Sequence, residues 1–415
     1  MTHRLAIVVS HPIQHFAAFY RGLAAHPDVD LTVLFGASIG ARAYFDREMN
    51  TEIKWATDLL GGYRHEFLAE AAGIREASPL TLNNPSVWAA LGRLRPDVVL
   101  LYGYNTVTSM RALTWCRTKG VPAMLISDSE RRTPRGLAVR TAKAAALPLL
   151  YRQFACFLSV GDCNDDHYRA YGVTDELLFR CPFTIDEDTY REAAAHRDAL
   201  RAHFRAEHAI PQDAVLTLTV GKVNERKRTR DVVDAARHIK TAQSGPTPIL
   251  MMVAGNGVLL DALKATAATQ DLPVRFLGFV NVDALPAAYA AADIVVHPSG
   301  RDPHPLVMSE AACIGLPLVV SSHVGAVGPT DIAREGVNAT VFPCGDTVAL
   351  ARAVLALAGD WARRQAMSAA SRACFDDLDL RRSVDGAVEA MRFATDWRSR
   401  SGSRCSAAPS REARR

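Results

Sequence analysis

The sequence predicts an α/β protein with two doubly wound, Rossmann-like domains that face a central cleft, followed by C-terminal helices. In both halves of the 415-residue chain, short apolar runs alternate with segments of helical pattern, as expected for parallel strands connected by helices. The charged stretch 184–195 has few strand-forming residues and interrupts this alternation, which indicates a linker. The chain is also too long for one ordinary core.

The first half predicts a domain over residues 1–185. Its strand candidates are the apolar runs Leu5–Val9, Leu31–Phe35, Asp97–Tyr102, Val121–Ser127, Phe157–Val160 and Leu177–Arg180. Polar turns follow several of these runs, and in such folds ligands bind beyond the carboxyl ends of the strands. Residues 36–95 have no readable pattern.

The second half repeats the alternation and predicts a domain over residues 196–375. Its strand candidates are Val215–Val220, Ile249–Ala254, Val274–Leu277, Ile294–Val296, Leu318–Val320 and Thr340–Phe342. A helix over 376–396 is expected to pack back on the first domain. Residues 397–415 are rich in Ser, Arg, Ala and Gly and predict a disordered basic tail.

Composition excludes several classes of protein. A net charge of +4 is too mild to favour nucleic-acid binding, and eight cysteines without a C-x-x-C pair predict reduced thiols rather than disulfides or zinc. No apolar run approaches the roughly 20 residues needed to span a bilayer, so a soluble cytoplasmic protein is expected. The absence of a G-x-G-x-x-G fingerprint or a P-loop disfavours a nicotinamide dehydrogenase and a P-loop kinase.

A strand–turn–helix–strand segment at residues 297–317 is the main candidate for a binding site. Pro305 suits the first turn of a helix, where its missing N–H is not needed. The free amides after it form a positive cradle for an anion. Asp302 lies at the mouth of this cradle and Glu310 lies about a turn and a half inside the helix. This arrangement predicts a nucleotide-sugar pocket.

A basic loop, 221–228, follows the first strand of the second half. Gly221 ends the strand, and Lys222 and Lys227 flank the loop, where their charges can neutralise a diphosphate. Gly255 begins a Gly-Asn-Gly turn after the next strand, which is only a fragment of a dinucleotide fingerprint. These residues are candidates for contacts with the nucleotide sugar.

In the first half, the polar turns contain histidines and acids. His11 and His15 follow the first strand, and Asp128 and Glu130 follow the strand that ends at Ser127. Their position favours a role in substrate binding or catalysis. Each can equally be an ordinary turn or packing residue, and the sequence leaves both readings open.

Residues 131–152 contain six basic residues, no acid and an Ala/Leu-rich run. The basic positions are Arg131, Arg132, Arg135, Arg140, Lys143 and Arg152. Such a helix can lie on an anionic membrane surface. The alternative is a solvated basic face on a core helix.

Two of these segments also resemble a known family. Val220–Val223 with Lys227 is similar to the "VGR…EKG" segment of retaining glycosyltransferases with the GT-B fold, the family 4 group (glycosyl transferases group 1). Residues 297–317 resemble the "PS..E.FG…LEA.A.G.P" signature of the same group. The resemblance covers about residues 215–358, and the turn 10–16 resembles the opening loop of a bacterial subset.

The resemblance implies roles for the matched residues. Lys222 and Lys227 would hold the donor diphosphate, Glu310 would accept hydrogen bonds from the ribose hydroxyls, and Asp302 would contact the sugar hydroxyls. The other implied donor contacts are Gly221, Gly255 and His304, with Phe279 and Val280 beside the base and the amides of Leu306 and Val307 at the phosphate. The chain departs from the pattern at Asp302 (Glu in the family), His304-Pro305 (Phe-Gly) and Lys222 (Arg), which bears on sugar preference.

The predicted function is transfer of a sugar from a nucleoside-diphosphate sugar to an acceptor hydroxyl, with retention and without a metal or cofactor. His11, Asp128 and Asp302 are the candidate catalytic residues. The expected setting is cell-surface polysaccharide or glycolipid synthesis in the cytoplasm, on a saccharide or lipid-linked acceptor, with peripheral membrane contact through 131–152. The alternatives are a non-catalytic nucleotide-sugar-binding protein and a sugar-nucleotide epimerase on the same fold.

Overall fold

A computed structural model describes residues 1–41, 44–46, 51–53, 58–132, 136–242, 245 and 247–405. Within these residues, the strands of the first domain are β1 (His3–Val9), β2 (Val29–Phe35), β3 (Tyr44–Asp46), β4 (Thr51–Ile53), β5 (His65–Phe67), β6 (Val98–Tyr102), β7 (Ala123–Ser127), β8 (Cys156–Ser159) and β9 (Leu178–Arg180). Its helices are α1 (Gln14–Ala25), α2 (Val87–Leu94), α3 (Val107–Lys119), α4 (Leu137–Tyr151) and α5 (Asp162–Ala170). The main sheet is parallel, in the order β5-β2-β1-β6-β7-β8-β9.

The second domain contains a six-stranded parallel sheet in the order β12-β11-β10-β13-β14-β15. The strands are β10 (Val215–Val220), β11 (Ile249–Ala254), β12 (Val274–Gly278), β13 (Ile294–His297), β14 (Leu318–Ser321) and β15 (Ala339–Phe342). The helices from the linker onward are α6 (Glu187–Ala195), α7 (Arg197–Glu207), α8 (Thr229–Ala242), α9 (Leu260–Thr269), α10 (Leu285–Ala291), α11 (Leu306–Ile314), α12 (Thr347–Gly359), α13 (Trp361–Asp376) and α14 (Leu380–Cys405).

The central strands consist almost entirely of buried apolar residues, because helices cover both faces of each sheet. This explains why apolar runs located the strands in the sequence. The predicted architecture of two doubly wound domains followed by C-terminal helices is confirmed.

Each sheet has one point where the strand order reverses. In the first domain β1 lies between β2 and β6, and in the second β10 lies between β11 and β13. The loops that follow two such neighbouring strands diverge and leave a crevice at the carboxyl edge of the sheet. The loops after β10 and β13 are the two stretches that the sequence marked as candidate donor contacts.

The linker and the last helix both connect the domains. The linker contains α6, which the sequence did not predict. Helix α14 contributes Val384, Val388 and Met391 to the core of the first domain. Gly386 allows this close packing, since a Cβ there would lie 1.9 Å from the carbonyl oxygen of Arg180. Helix α14 includes residues 397–405 of the predicted tail, and 406–415 lie outside the described residues.

The two domains also contact each other directly beside the crevice. Arg132 donates hydrogen bonds to the carbonyl oxygens of Val324 (2.7 Å) and Val327 (2.8 Å) in the second domain. The carboxylate of Asp162, at the start of α5, accepts a hydrogen bond of 2.8 Å from the backbone N–H of Thr330. The side chain of Arg132 therefore lies in the interface between the domains and holds them together.

The seven cysteines with described side chains are free thiols. In the described part of the chain, no helix combines the length and apolar character that crossing a bilayer would require.

Candidate functional site

The loops after β10 and β13 meet through an ion pair. The ammonium group of Lys227 contacts the carboxylate of Asp302, and His297 Nε2 donates to the same carboxylate oxygen at 2.8 Å. Asn224 fixes the lysine loop by accepting a 2.9 Å hydrogen bond from the Lys227 backbone N–H. Residues 75 positions apart in the chain thus form one polar cluster, because β10 and β13 are neighbours in the sheet.

This cluster holds Asp302 as a charged carboxylate. Burial by itself raises the pKa of Asp302, but the hydrogen bond from His297 and the charge of Lys227 outweigh it and hold the pKa well below its usual value. Burial lowers the pKa of His297, although Asp302 opposes that shift. The imidazole is therefore neutral at neutral pH and donates from Nε2.

Two glycines bring the backbone of the β10 and β11 loops together. Gly221 follows β10 with a φ of 140°. A Cβ on Gly255, at the end of β11, would lie 1.8 Å from the carbonyl oxygen of Gly221. Lys222 follows directly and is half-buried. A side chain at Gly255 would therefore collide with the backbone of Gly221, so glycine is required for the two loops to approach this closely.

Helix α11 begins directly after Pro305, which is the N-cap with φ −72° and ψ 126°. Its first residues, Leu306 and Val307, are half-buried, and the amides of a first helical turn have no partner within the helix. These amides and the helix dipole favour an anion at this position. The predicted helix start is thus present, and its binding of a phosphate stays a prediction.

Glu310 lies inside α11 as a buried carboxyl. The hydroxyl of Tyr289 on α10 donates to Glu310 Oε2 at 2.5 Å, and the hydroxyl of Tyr190 on α6 is a second partner. Burial raises the pKa of Glu310, and the two tyrosine hydrogen bonds oppose that shift. A carboxyl held this way has acceptor capacity left for a ligand.

A cavity of about 320 Å³ lies between the domains and contains Glu310. Helix α1, the linker with α6, the β12–α10 loop and α11 line it through Gln14, His15, Ala18, Arg21, Ile185, Asp186, Thr189, Tyr190, Val282, Asp283, Leu306 and Glu310. Gln14 Oε1 is buried without a hydrogen-bond partner among the described residues. The predicted base contacts Phe279 and Val280 are half-buried just upstream, and the loop meets the cavity at 282–283.

Histidines from both domains approach each other beside this cavity. The His304 ring lies edge-on to Phe183 with centroids 5.6 Å apart, and Phe183 lies 5.6 Å from the His15 ring. His304 Nδ1 is buried and, among the described residues, has no hydrogen-bond partner. His11 lies in the turn just after β1, where its Nδ1 is 2.9 Å from the Ser10 hydroxyl. His15, which lines the cavity, and His304 thus both contact the ring of Phe183.

A second, polar cavity of about 320 Å³ lies on the first-domain side of Asp302. Its lining comprises Gly103, Tyr104, Asn105, Ser127, Asp128, Ser129, Glu130, Lys143, Arg301 and Pro303. Asp128 is an exposed residue of this lining, and partial desolvation by the surrounding protein raises the pKa of its carboxyl. Because Arg301 and Pro303 flank Asp302, this cavity opens next to the Lys227–Asp302 cluster.

We expect the free energy of unfolding to decrease as the pH falls below about 6.5, in part through His15. Burial, with smaller effects of His304 and His11, lowers the pKa of His15 to about 3. Between these values the unfolded chain binds a proton that the folded chain does not, so one such group lowers stability by about 1.4 kcal/mol per pH unit on acidification. In urea melts, His15→Gln should flatten this slope.

The matched control is His203→Gln, because the side chain of His203 is exposed on α7. This variant should keep the wild-type slope. An unchanged slope in His15→Gln as well would contradict a buried, neutral His15.

Four polar residues of the site were missed by the sequence analysis: His297, Tyr289, Tyr190 and Gln14. Of these four residues, only His297 could have been recognised from the sequence, because it ends β13 directly before the Pro-Ser turn. The tyrosines lie on helices that carry no motif, and they reach Glu310 only through packing of α6 and α10 on α11. Among the described residues, no three His, Cys, Asp or Glu side chains form a group that could hold a metal ion.

Comparison with known proteins shows which sequences and structures this chain resembles. Residues 201–373 match the family model described as Glycosyl transferases group 1. The chain is 34% identical to an uncharacterized glycosyltransferase of Methanocaldococcus jannaschii over 148 residues, which is 34% of this chain and 36% of that protein. It is 30% identical to a D-inositol 3-phosphate glycosyltransferase of Geodermatophilus obscurus over 240 residues, 56% of this chain and 50% of that protein. The alignments thus span half or less of these relatives.

The similarity to solved structures extends over both domains. Anabaena HepE, solved in complex with UDP, superposes with a TM-score of 0.69 at 16% identity, over 94% of this chain and 100% of that one. The fold of this protein is therefore GT-B, as the resemblance implied. The family match is confined to the second domain, which carries Lys227, Asp302 and Glu310.

Proposed function

We propose that this protein is a glycosyltransferase of the retaining, family 4 type that moves a sugar from a nucleoside-diphosphate sugar to an acceptor hydroxyl. The observation that carries the proposal is the buried Glu310 carboxyl in the interdomain cavity, on the helix that begins shortly after Asp302, the partner of Lys227. A carboxyl that can accept from a ribose, a helix start that favours an anion and a cation are thus available for such a donor. The family match over 201–373 supports the same reaction class.

In the proposed complex, the nucleoside occupies the cavity around Glu310. The ribose hydroxyls donate to Glu310, and the diphosphate lies between the start of α11 and the lysines of the 221–228 loop. Lys222 and Lys227 then neutralise charge on the leaving nucleoside diphosphate, which is electrostatic stabilisation of a charge that develops in the transition state. We propose that this suffices without a metal ion.

The acceptor occupies the polar cavity that contains Asp128. Its hydroxyl attacks the anomeric carbon from the same face that the leaving phosphate departs, and the departing phosphate oxygen takes the hydroxyl proton. Asp302 is proposed to position the donor sugar, because its carboxylate is held by His297 and Lys227 and its chain neighbours Arg301 and Pro303 line the polar cavity. Asp128 and Glu130 are proposed to orient the acceptor, and His11 to contribute from the β1 turn.

The proposed setting is cytoplasmic synthesis of cell-surface polysaccharide or glycolipid, on a saccharide or a lipid-linked acceptor. The solved complexes of HepE contain UDP and UDP-glucose, which favours a uridine donor as the first candidate.

A thermal-shift panel of UDP-, GDP- and ADP-sugars tests the proposal. A true donor at 100 times its dissociation constant should stabilise the fold by about 2.7 kcal/mol. NMR of the incubated donor then separates the alternatives: acceptor-dependent release of nucleoside diphosphate with an unchanged anomeric configuration supports a retaining transferase. Binding without turnover would indicate a nucleotide-sugar-binding protein, and acceptor-independent conversion of the sugar would indicate an epimerase.

A further inference from the structure

Most side chains of helix α4 are exposed and do not pack in a core formed by the described residues. Between Leu137 and Ala146, nine of ten residues are exposed and Lys143 is half-buried. The helix is held mainly by its C-terminal turn, where Leu147 and Tyr151 are buried and the Tyr151 hydroxyl lies 3.0 Å from His167 Nε2. A 15-residue helix that buries two side chains lacks the packing that normally stabilises such a helix in water.

The exposed surface of α4 is apolar to an unusual degree. Leu137, Val139 and Leu149 are 78%, 49% and 61% exposed, and the residues between them are largely alanines. Elsewhere in the described chain, no helix or strand carries more than one large apolar side chain of comparable exposure. This concentration on one helix indicates an interaction surface.

All the charged residues in and next to α4, from 131 to 152, are basic. Arg131, Arg140 and Arg152 are exposed, and their guanidinium groups form no ion pair with any described carboxylate. Residues 131–152 contain no acid. Arg132 is excluded from this set because it bonds the second domain, and Arg135 lies outside the described residues.

We propose that α4 is a membrane-docking helix, whose exposed apolar side chains enter the headgroup region of an anionic bilayer while Arg131, Arg140 and Arg152 contact lipid phosphates. Apolar side chains flanked by unpaired cations complement a surface that offers hydrocarbon and negative charge together.

The placement of α4 connects docking to the acceptor. Lys143, on the half-buried side of α4, lines the polar cavity that contains Asp128. A docked α4 therefore places the mouth of this cavity beside the lipid headgroups. This step rests on the proposed function: the acceptor is then an amphiphile, a saccharide or polyol headgroup on a membrane lipid, that reaches the cavity without leaving the bilayer.

Co-sedimentation of the full-length chain with vesicles tests docking. We expect binding to vesicles of phosphatidylglycerol mixed with phosphatidylcholine, weakening with salt, and little binding to phosphatidylcholine alone. Each of Arg131→Gln, Arg140→Gln and Arg152→Gln should lower partitioning about fivefold at low salt. The combined variant Leu137→Ser, Val139→Ser and Leu149→Ser should lower it at least about tenfold.

Val348→Ser and Arg352→Gln are matched controls, because they make the same changes at exposed positions of α12 in the second domain. Both should bind vesicles as the wild type does. Hydrogen exchange should show vesicle-dependent protection in the peptides that contain α4.

UDP affinity, measured in the same variants, separates this inference from the proposed function. Wild-type protein that binds UDP but not anionic vesicles would overturn docking alone. Self-association through α4, seen by light scattering and lost in the triple variant, would assign the surface to a second copy and also overturn it. Failure of the wild type to bind any nucleotide would count against the proposed function and leave vesicle binding to decide docking.

Discussion

Replacing Glu310 with glutamine is expected to lower the affinity for UDP by roughly tenfold to a hundredfold for each ribose hydrogen bond lost. A carboxylate can accept from two ribose hydroxyls, whereas an amide offers one oxygen and presents a donor in place of the other. The variant keeps the size of the side chain and an oxygen that can accept from Tyr289. Isothermal titration with UDP and with UDP-glucose measures the change.

Stability provides a second, opposite signature for this variant. Because burial raises the pKa of Glu310, the charged form is disfavoured in the folded protein relative to the unfolded one. A neutral amide removes that penalty at neutral pH, so the free energy of unfolding of Glu310→Gln should be unchanged or higher. Weaker UDP binding in a protein of undiminished stability would locate the defect in ligand contact.

Glu187→Gln is the matched control. Burial also raises the pKa of Glu187, but this residue lies outside the lining of the cavity and accepts a hydrogen bond from the backbone N–H of Leu380 at 3.1 Å. It should leave UDP affinity unchanged. Equal UDP affinity in Glu310→Gln and the wild type would contradict the assignment of the nucleoside to this cavity.

The local parts of the site could be predicted from the sequence. The start of α11 follows from Pro305, and the lysine loop follows from the glycine that ends β10, because both depend on residues within a few positions. The central strands were equally predictable, since helices cover both faces of the two main sheets and these strands became continuous apolar runs. None of these features depends on which residues lie on the other side of the cleft. The short strands β3, β4 and β5 lie within residues 36–95, where the sequence had no readable pattern, and were not predicted.

The pairings within the site could not be predicted in this way. Lys227 and Asp302 were expected to contact different parts of a donor, yet they contact each other, since β10 and β13 are adjacent in the sheet. Tyr190 contacts Glu310 from helix α6. The stretch that contains α6 was interpreted as a linker, because its many charged residues obscured the apolar face of the helix. Contacts of this kind depend on strand order and helix packing, which no local pattern encodes.

Replacing Lys227 with methionine is expected to lower kcat by roughly a hundredfold to a thousandfold, the usual effect of removing one preorganised group that stabilises transition-state charge. It should also reduce stability, because Asp302 would keep only His297 as a partner in a largely buried position. Steady-state kinetics with the donor found in the panel, and urea melts, measure the two effects. Lys240→Met, which removes an exposed lysine paired with Asp271 at 3.0 Å, should change neither appreciably.

The double variant Lys227→Met with Asp302→Asn distinguishes the two roles of the lysine. The pair contributes stability that is fully present above the usual pKa of an aspartate, near 3.8, and is lost as the pH falls through the lower folded value, because the folded pKa is depressed. Asparagine removes the unpaired charge, so the double variant should regain stability at neutral pH. Because Asp302 is itself proposed to position the donor sugar, turnover of the double variant is compared with that of the single variant Asp302→Asn. If Lys227 stabilises the leaving diphosphate, the double variant should turn over more slowly than Asp302→Asn. Equal turnover in the two variants would instead mean that Lys227 serves only to neutralise Asp302.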